Sequence, residues 1–270
     1  MSQRLDLVLI GATSTSQTQP VYDAAASAIP YIKPVAQGLG GHIAWVMANR
    51  PDWASLVSAA RSDNPAVVVI DQPTTPTPAD LADLGDGIVP LWLVTPHNWA
   101  PAVATMKQAA AGLEFDWLEA ATFSPGEADP WTCLFDALVL LRSAGLGDAA
   151  IDNLTFGPHC VVAEARAGQT AVHLTCLRGS YPLKATVKAF GSFGSLELAL
   201  GDPRAAFPGE VVRVGPDGST LYPTTYQTPR RMALLEAHAL VAGSRNPDHL
   251  LSAYAQTVAN LAAAGYARTQ

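Results

Sequence analysis

The chain has 270 residues, enough for one large domain or two modest ones, with 49% hydrophobic and 14% charged residues. A net charge of −7 with no run of basic residues argues against a nucleic-acid or anionic-membrane partner. Charge this thin leaves a partly apolar surface, whose natural use is a homodimeric or hetero-oligomeric interface. The three cysteines, Cys133, Cys160 and Cys176, show no CxxC spacing. That pattern predicts reduced thiols in a cytoplasmic protein, with no disulfide frame and no zinc ribbon. The N-terminal apolar run is too short for a signal segment, and no run reaches membrane-spanning length.

Leu7 to Ile10 reads as a strand buried on both faces, ending at Gly11. The turn after it, Gly11-Ala12-Thr13-Ser14-Thr15-Ser16, keeps only the first glycine of a dinucleotide-binding turn, which needs glycines for close backbone approach to a pyrophosphate. Gly38-Leu39-Gly40-Gly41 precedes a strand and reads as loop. Ile43 to Met47 is the next predicted strand, Pro51 to Arg61 a helix, and Val67 to Ile70 another buried strand closed by Asp71-Gln72-Pro73. An acid that would hold ribose hydroxyls is missing from Met47-Ala48-Asn49-Arg50, where Arg50 is the alternative group for a 2′-phosphate. Thr74 to Pro78 reads as loop, Ala79 to Leu84 and Pro101 to Ala111 as helices, and Leu91 to Val94 as a fourth strand. Strands alternating with helices predict a Rossmann-like, doubly wound parallel α/β half, residues 1–113. Its strand ends, near Gly11, Ala48, Gln72 and Pro96, fall along one edge, where ligand crevices lie in such sheets.

Asp129-Pro130-Trp131-Thr132-Cys133-Leu134-Phe135-Asp136 reads as the start of a core helix, with Asp129 its cap, Pro130 in its first turn and Leu134, Leu138 and Leu141 on its apolar face. Around it the texture changes to an α+β half, residues 114–270. Phe115 to Phe123 is a candidate strand, and three hairpins follow the helix: Cys160–Ala165 with Ala171–Leu177, Lys184–Phe190 with Ser195–Leu200, and Glu210–Val214 with Ser219–Tyr222. They predict one open, mainly antiparallel sheet of about six or seven strands. Met232 to Val241 and His249 to Ala264 close the chain as helices that pack back on the first half.

This order of pieces resembles the glucose–fructose oxidoreductase, inositol dehydrogenase and MocA (Gfo/Idh/MocA) family. The likeness rests on Val67–Pro73, on the Gly191–Leu198 hairpin and on the final helix with Tyr254 to Ala264. It implies a nucleotide-binding Rossmann domain, a C-terminal sheet whose outer face makes a dimer, and NAD(P)-linked chemistry on a sugar-like or cyclic alcohol. The family's Glu-Lys-Pro signature falls on Pro96-His97-Asn98, so its proton-handling lysine would be His97. Its Asp-x-Gly-x-His-x-x-Asp motif falls on Asp129 to Asp136; both aspartates stand, while its glycine is Trp131 and its histidine Cys133. These changes, with the lost glycine fingerprint, predict a protein with no cofactor, a non-catalytic ligand-binding or partner subunit. The alternative is an active NAD(P)-dependent oxidoreductase holding its nucleotide through Gly11, Thr13, Ser14 and Arg50, with His97 as acid or base, Asp129 orienting it, and Cys133 and Asp136 beside them. Lyase or isomerase chemistry in the same cleft is a third reading. The six histidines show no metal-ligand spacing, and no metal is expected.

Overall fold

The computed structural model describes residues 5–10, 29, 32–35, 43–85, 87–180, 182–204, 209–241 and 250–266. It divides into two compact units, the first comprising residues 1–95 and 230–255, the second residues 96–229 and 256–270.

The first unit is built on five parallel strands: β1 (Leu5–Ile10), β2 (Ile32–Val35), β3 (Ile43–Met47), β4 (Val67–Asp71) and β5 (Leu91–Val94), in the order β2-β1-β3-β4-β5. Every residue of β3, β4 and β5 is buried, as continuous apolar runs in a sheet covered on both faces require. α1 (Trp53–Ser62) packs on β3 and β4 and buries Trp53, Val57 and Ala60, an i, i+4, i+7 stripe. It begins two residues later than its proline suggested, since Pro51 lies in a turn closed by the Trp53 amide donating to the Arg50 carbonyl. α2 (Pro78–Leu84) starts at a capping box: the Asp80 amide donates to Thr77 Oγ1, and the Thr77 amide to Asp80 Oδ2. α5 (Pro229–Val241) contributes residues 230–241 to this unit.

The second unit carries α3 (Pro101–Ala110), α4 (Pro130–Ser143), α6 (Ala255–Ala263) and an eight-stranded sheet, β6 (Trp117–Pro125) to β13. The other strands are β7 (Ala150–Phe156), β8 (Cys160–Ala167), β9 (Thr170–Gly179), β10 (Lys184–Gly191), β11 (Gly194–Leu200), β12 (Glu210–Gly215) and β13 (Gly218–Tyr222), ordered β13-β12-β11-β10-β6-β9-β8-β7. All pairs are antiparallel except β6 with β9. Alternation along β6 sends Leu118, Ala120, Thr122 and Ser124 inward, while Trp117 and Glu119 face out. The β10–β11 turn needs its glycine: Gly194 has φ 110°, and an added Cβ would sit 2.0 Å from the Val214 carbonyl oxygen. α4 packs against β6, β8, β9 and α3, and eight of its fourteen residues are buried. Among the described residues no helix is long and apolar enough to cross a membrane.

Candidate functional site

In the first unit the parallel registers bring the strand ends level: Ile10 lies opposite Val46, Met47 opposite Asp71, and Asp71 opposite Val94. The order reverses between β1 and β3, which makes their carboxyl ends the switch point where such sheets take ligands. Gln72, just past β4, holds φ 50°, a left-handed conformation uncommon outside glycine and associated with functional edges.

The acid on this edge is Asp71, 2% exposed, which accepts from Trp45 Nε1 (3.3 Å) and from Arg230 Nε (3.3 Å) on one oxygen, while Oδ1 has no hydrogen-bond partner among the described residues. Burial raises its pKa, and the Arg230 charge works against that rise. Its surroundings commit it to the interior rather than to a ribose. The strand beside β1 reached by the first crossover is β2, so Met47 to Arg50 is not where a ribose acid belongs in this topology. Beyond β2 the chain reads Ala36-Gln37-Gly38, also without an acid. Arg50 is half-exposed and gripped by Asp52 through two contacts, one of them Nη2 to Oδ2 at 2.8 Å. The pair holds the Asp52 carboxyl below and the Arg50 guanidinium above their ordinary pKa values. Gly11, Thr13, Ser14, Ser16 and Gly38 to Gly41 lie outside the described residues.

In the second unit the inward face of the β6–β9 pair changes from apolar to polar toward the strand ends. Ala120 lies opposite Leu174, then Thr122 opposite Cys176, then Ser124 opposite Arg178. α4 crosses this polar end, presenting Cys133 and Asp136 about 60° apart around its axis. Burial pushes the Cys133 thiol up to about 11; neighbouring Asp136 and Asp129 add to the rise, and Ser124 and Arg178 oppose it. The Cys176 thiol, whose Sγ contacts the Cys133 carbonyl at 3.5 Å, is pushed up to about 12, again by burial first. Thr122 lies near enough to temper it, yet its buried Oγ1 has no partner of ordinary hydrogen-bond geometry among the described residues. Asp136 has no ion-pair partner among the described residues, and burial alone pushes its carboxyl up to about 8. At neutral pH both thiols hold their protons, while this carboxyl is poised to give up or take one.

Asp129 caps α4, with Oδ2 accepting from the Thr132 amide (2.9 Å) and the Thr132 hydroxyl (3.1 Å). His97 is 6% exposed, and burial pushes its imidazole down to about 4 against the pull of Asp202, the one charged group coupled to it among the described residues. Asp136 and Asp129 thus both act on the Cys133 thiol, while the charged group acting on His97 is Asp202. Trp131 packs against Phe156 (centroids 5.1 Å apart) and Tyr266 (5.3 Å). It lies about 160° from Cys133 and about 140° from Asp136 around the helix. Sequence reading missed Thr122, Ser124, Cys176 and Arg178; only the parallel β6–β9 register brings them opposite α4. Asp71 was legible as an acid closing an otherwise apolar run.

No family model and no curated protein sequence matches the chain. Solved structures do. An oxidoreductase from Sinorhizobium meliloti superposes with TM-score 0.72 at 13% identity, covering 97% of this chain and 96% of its own. GenD2 from gentamicin A biosynthesis, in complex with NAD, gives 0.65 at 14% identity, covering 97% and 93%. A mutant of KijD10, a 3-ketoreductase from Actinomadura kijaniata in complex with TDP-benzene and NADP, gives 0.68 at 13%, covering 97% and 96%. The chain has the Gfo/Idh/MocA oxidoreductase fold. The cofactor-free expectation is thereby corrected: two neighbours sharing the Gfo/Idh/MocA fold over nearly their whole length hold NAD and NADP. That expectation leaned on the missing glycines after β1 and on an acid sought past β3 rather than past β2.

Proposed function

We propose that the protein is an NAD(P)-dependent oxidoreductase acting on an alcohol or ketone of a sugar-like or cyclic substrate. The observation that carries the reading is Asp136, a carboxyl without an ion-pair partner among the described residues, pushed up to about 8 on the helix face that also bears Cys133. A carboxyl tuned to near neutrality and lacking a structural partner is suited to exchange a proton with a substrate oxygen. The strand ends of the first unit fit a nucleotide: parallel strands finish level at a switch point, and Ala48 leaves the edge small.

In this reading Gly11, Thr13 and Ser14 hold the pyrophosphate. Arg50 lies past β3 rather than past β2, where a ribose belongs, and is held by Asp52, so no described residue is assigned to a 2′-phosphate and NAD is favoured over NADP. The bound nicotinamide supplies hydride transfer; the chain's part is to bind, to orient and to move the proton. Asp136 takes the hydroxyl proton during oxidation and returns it during reduction. His97, neutral above pH 4, serves as a hydrogen-bonding group rather than as an imidazolium acid. A second reading, a nucleotide-binding partner subunit without turnover, draws on Cys133: a thiol at about 11 cannot replace a histidine base at neutral pH. Turnover separates the two. Reduction of NAD+ or NADP+ by at least one of a panel of sugar alcohols, aldoses and sugar acids, abolished in Asp136→Asn, is the expected result; nucleotide binding with no turnover on any of them supports the second reading.

We also propose a homodimer through the outer face of the eight-stranded sheet, where Trp117, Val214 and Leu221 are exposed at 40%, 42% and 65%. Light scattering at micromolar concentration tests it, with Leu221→Glu expected to give monomers. Three free cysteines support a reducing, cytoplasmic setting.

A further inference from the structure

Arg142, Arg166, Arg204 and Arg230 each face a carboxylate of their own. Arg178 does not. It lies on β9 opposite Ser124, where Nη1 donates to the Ala128 carbonyl and Nη2 to the Pro158 carbonyl, both at 3.1 Å. Its Nε is buried without a hydrogen-bond partner, and no carboxylate among the described residues lies within ion-pair distance. The nearby Asp129 spends its carboxylate on Thr132. The Cys133 thiol holds its proton at neutral pH and offsets no charge, and the Asp136 carboxyl is shifted by burial alone, without a contribution from Arg178.

A half-buried guanidinium held by neutral carbonyls retains most of the cost of desolvating its charge. The two carbonyls fix its plane, and an arginine offers five donors, so N–H groups remain for a planar anion to accept in parallel. Such a cation, near enough to Cys133 on α4 to act on its thiol, is complementary to a carboxylate rather than to another protein group. We propose that Arg178 anchors a carboxylate of the substrate, which makes the substrate a hydroxy or oxo acid, such as a sugar acid, rather than a neutral sugar. This deepens the oxidoreductase reading and rests on it for the reaction, but not for the binding.

The test uses matched pairs differing in the acid group: glucuronate with glucose, galacturonate with galactose, and lactate with propane-1,2-diol. Each is titrated into the full chain, with and without saturating NADH, by calorimetry and by quenching of tryptophan fluorescence. At least one acid is expected to bind about tenfold or more tightly than its neutral partner. Arg178→Gln should lower that affinity about 10- to 100-fold, as loss of a paired charge-assisted contact does, and leave the neutral partner unchanged. Arg178→Lys should recover only part, because it keeps the charge without the planar fork. Circular dichroism and NADH affinity of both variants should match the parent protein. Equal binding of acids and neutral partners, no measurable binding of any acid, or an Arg178→Gln variant that still prefers the acid would each overturn the assignment. NADH binding without acid preference sinks this inference alone; acid preference without NADH or NADPH binding sinks the oxidoreductase reading instead.

Discussion

Replacing Asp136 by asparagine should stabilise the protein, and increasingly so as pH rises. The carboxyl is displaced from 3.8 to about 8 by burial. That displacement corresponds to about 6 kcal/mol at about 1.4 kcal/mol per tenfold change in proton affinity. The side chain keeps some contact with solvent, which makes that figure an upper limit, and about 2–3 kcal/mol is the expected gain at pH 8. The sign follows from proton binding. The folded pKa lies above the unfolded one, so the wild-type contribution is fully present below about pH 4 and is lost as pH rises toward 8. Asparagine has the same shape and no charge to desolvate. Urea unfolding of both proteins, followed by tryptophan fluorescence from pH 4 to 8, isolates the group, because every other titration cancels in the difference. A difference that does not grow with pH, or a variant less stable than wild type at pH 8, would refute a desolvated, unpaired carboxyl. The same substitution should abolish turnover, a trade of stability for function.

His97 should show the opposite slope. Its folded pKa near 4 lies below the ordinary 6.5, so its contribution is complete above pH 6.5 and falls by up to about 3 kcal/mol toward pH 4; NMR should find its ring titrating near 4. Arg230→Met should destabilise the first unit by about 3–5 kcal/mol by stranding buried Asp71, and Asp71→Asn in the same chain should recover much of it in a double-mutant cycle. Iodoacetamide at pH 7.5 should label Cys133 and Cys176 far more slowly than half-buried Cys160, read by mass spectrometry, since both thiols are buried and displaced upward.

The architecture was legible where apolar periodicity was strong. β1, β3, β4 and β5 announce themselves as short Val/Ile/Leu runs, and Gly168, Gly191-Gly194 and Gly218 mark the hairpins. β7 was missed because five of its residues, among them Asn153 and Thr155, are exposed and leave no alternation to read. β2 was missed because Ile32-Lys33-Pro34-Val35 is brief and carries a proline, and with it went the strand order on which the ribose-acid argument depended. The α4 cap was readable from Asp129-Pro130, and the cluster of Cys133 and Asp136 from helical spacing. Arg178 and Ser124 were not, since their proximity to α4 is a matter of sheet register some fifty residues apart.

The central claim is that this chain binds a nicotinamide nucleotide. Titrating the purified protein with NADH and with NADPH, following cofactor fluorescence and tryptophan quenching together, tests it most directly. The account predicts saturable binding at micromolar concentration, tighter for NADH; no saturation by either nucleotide up to millimolar concentration would contradict it.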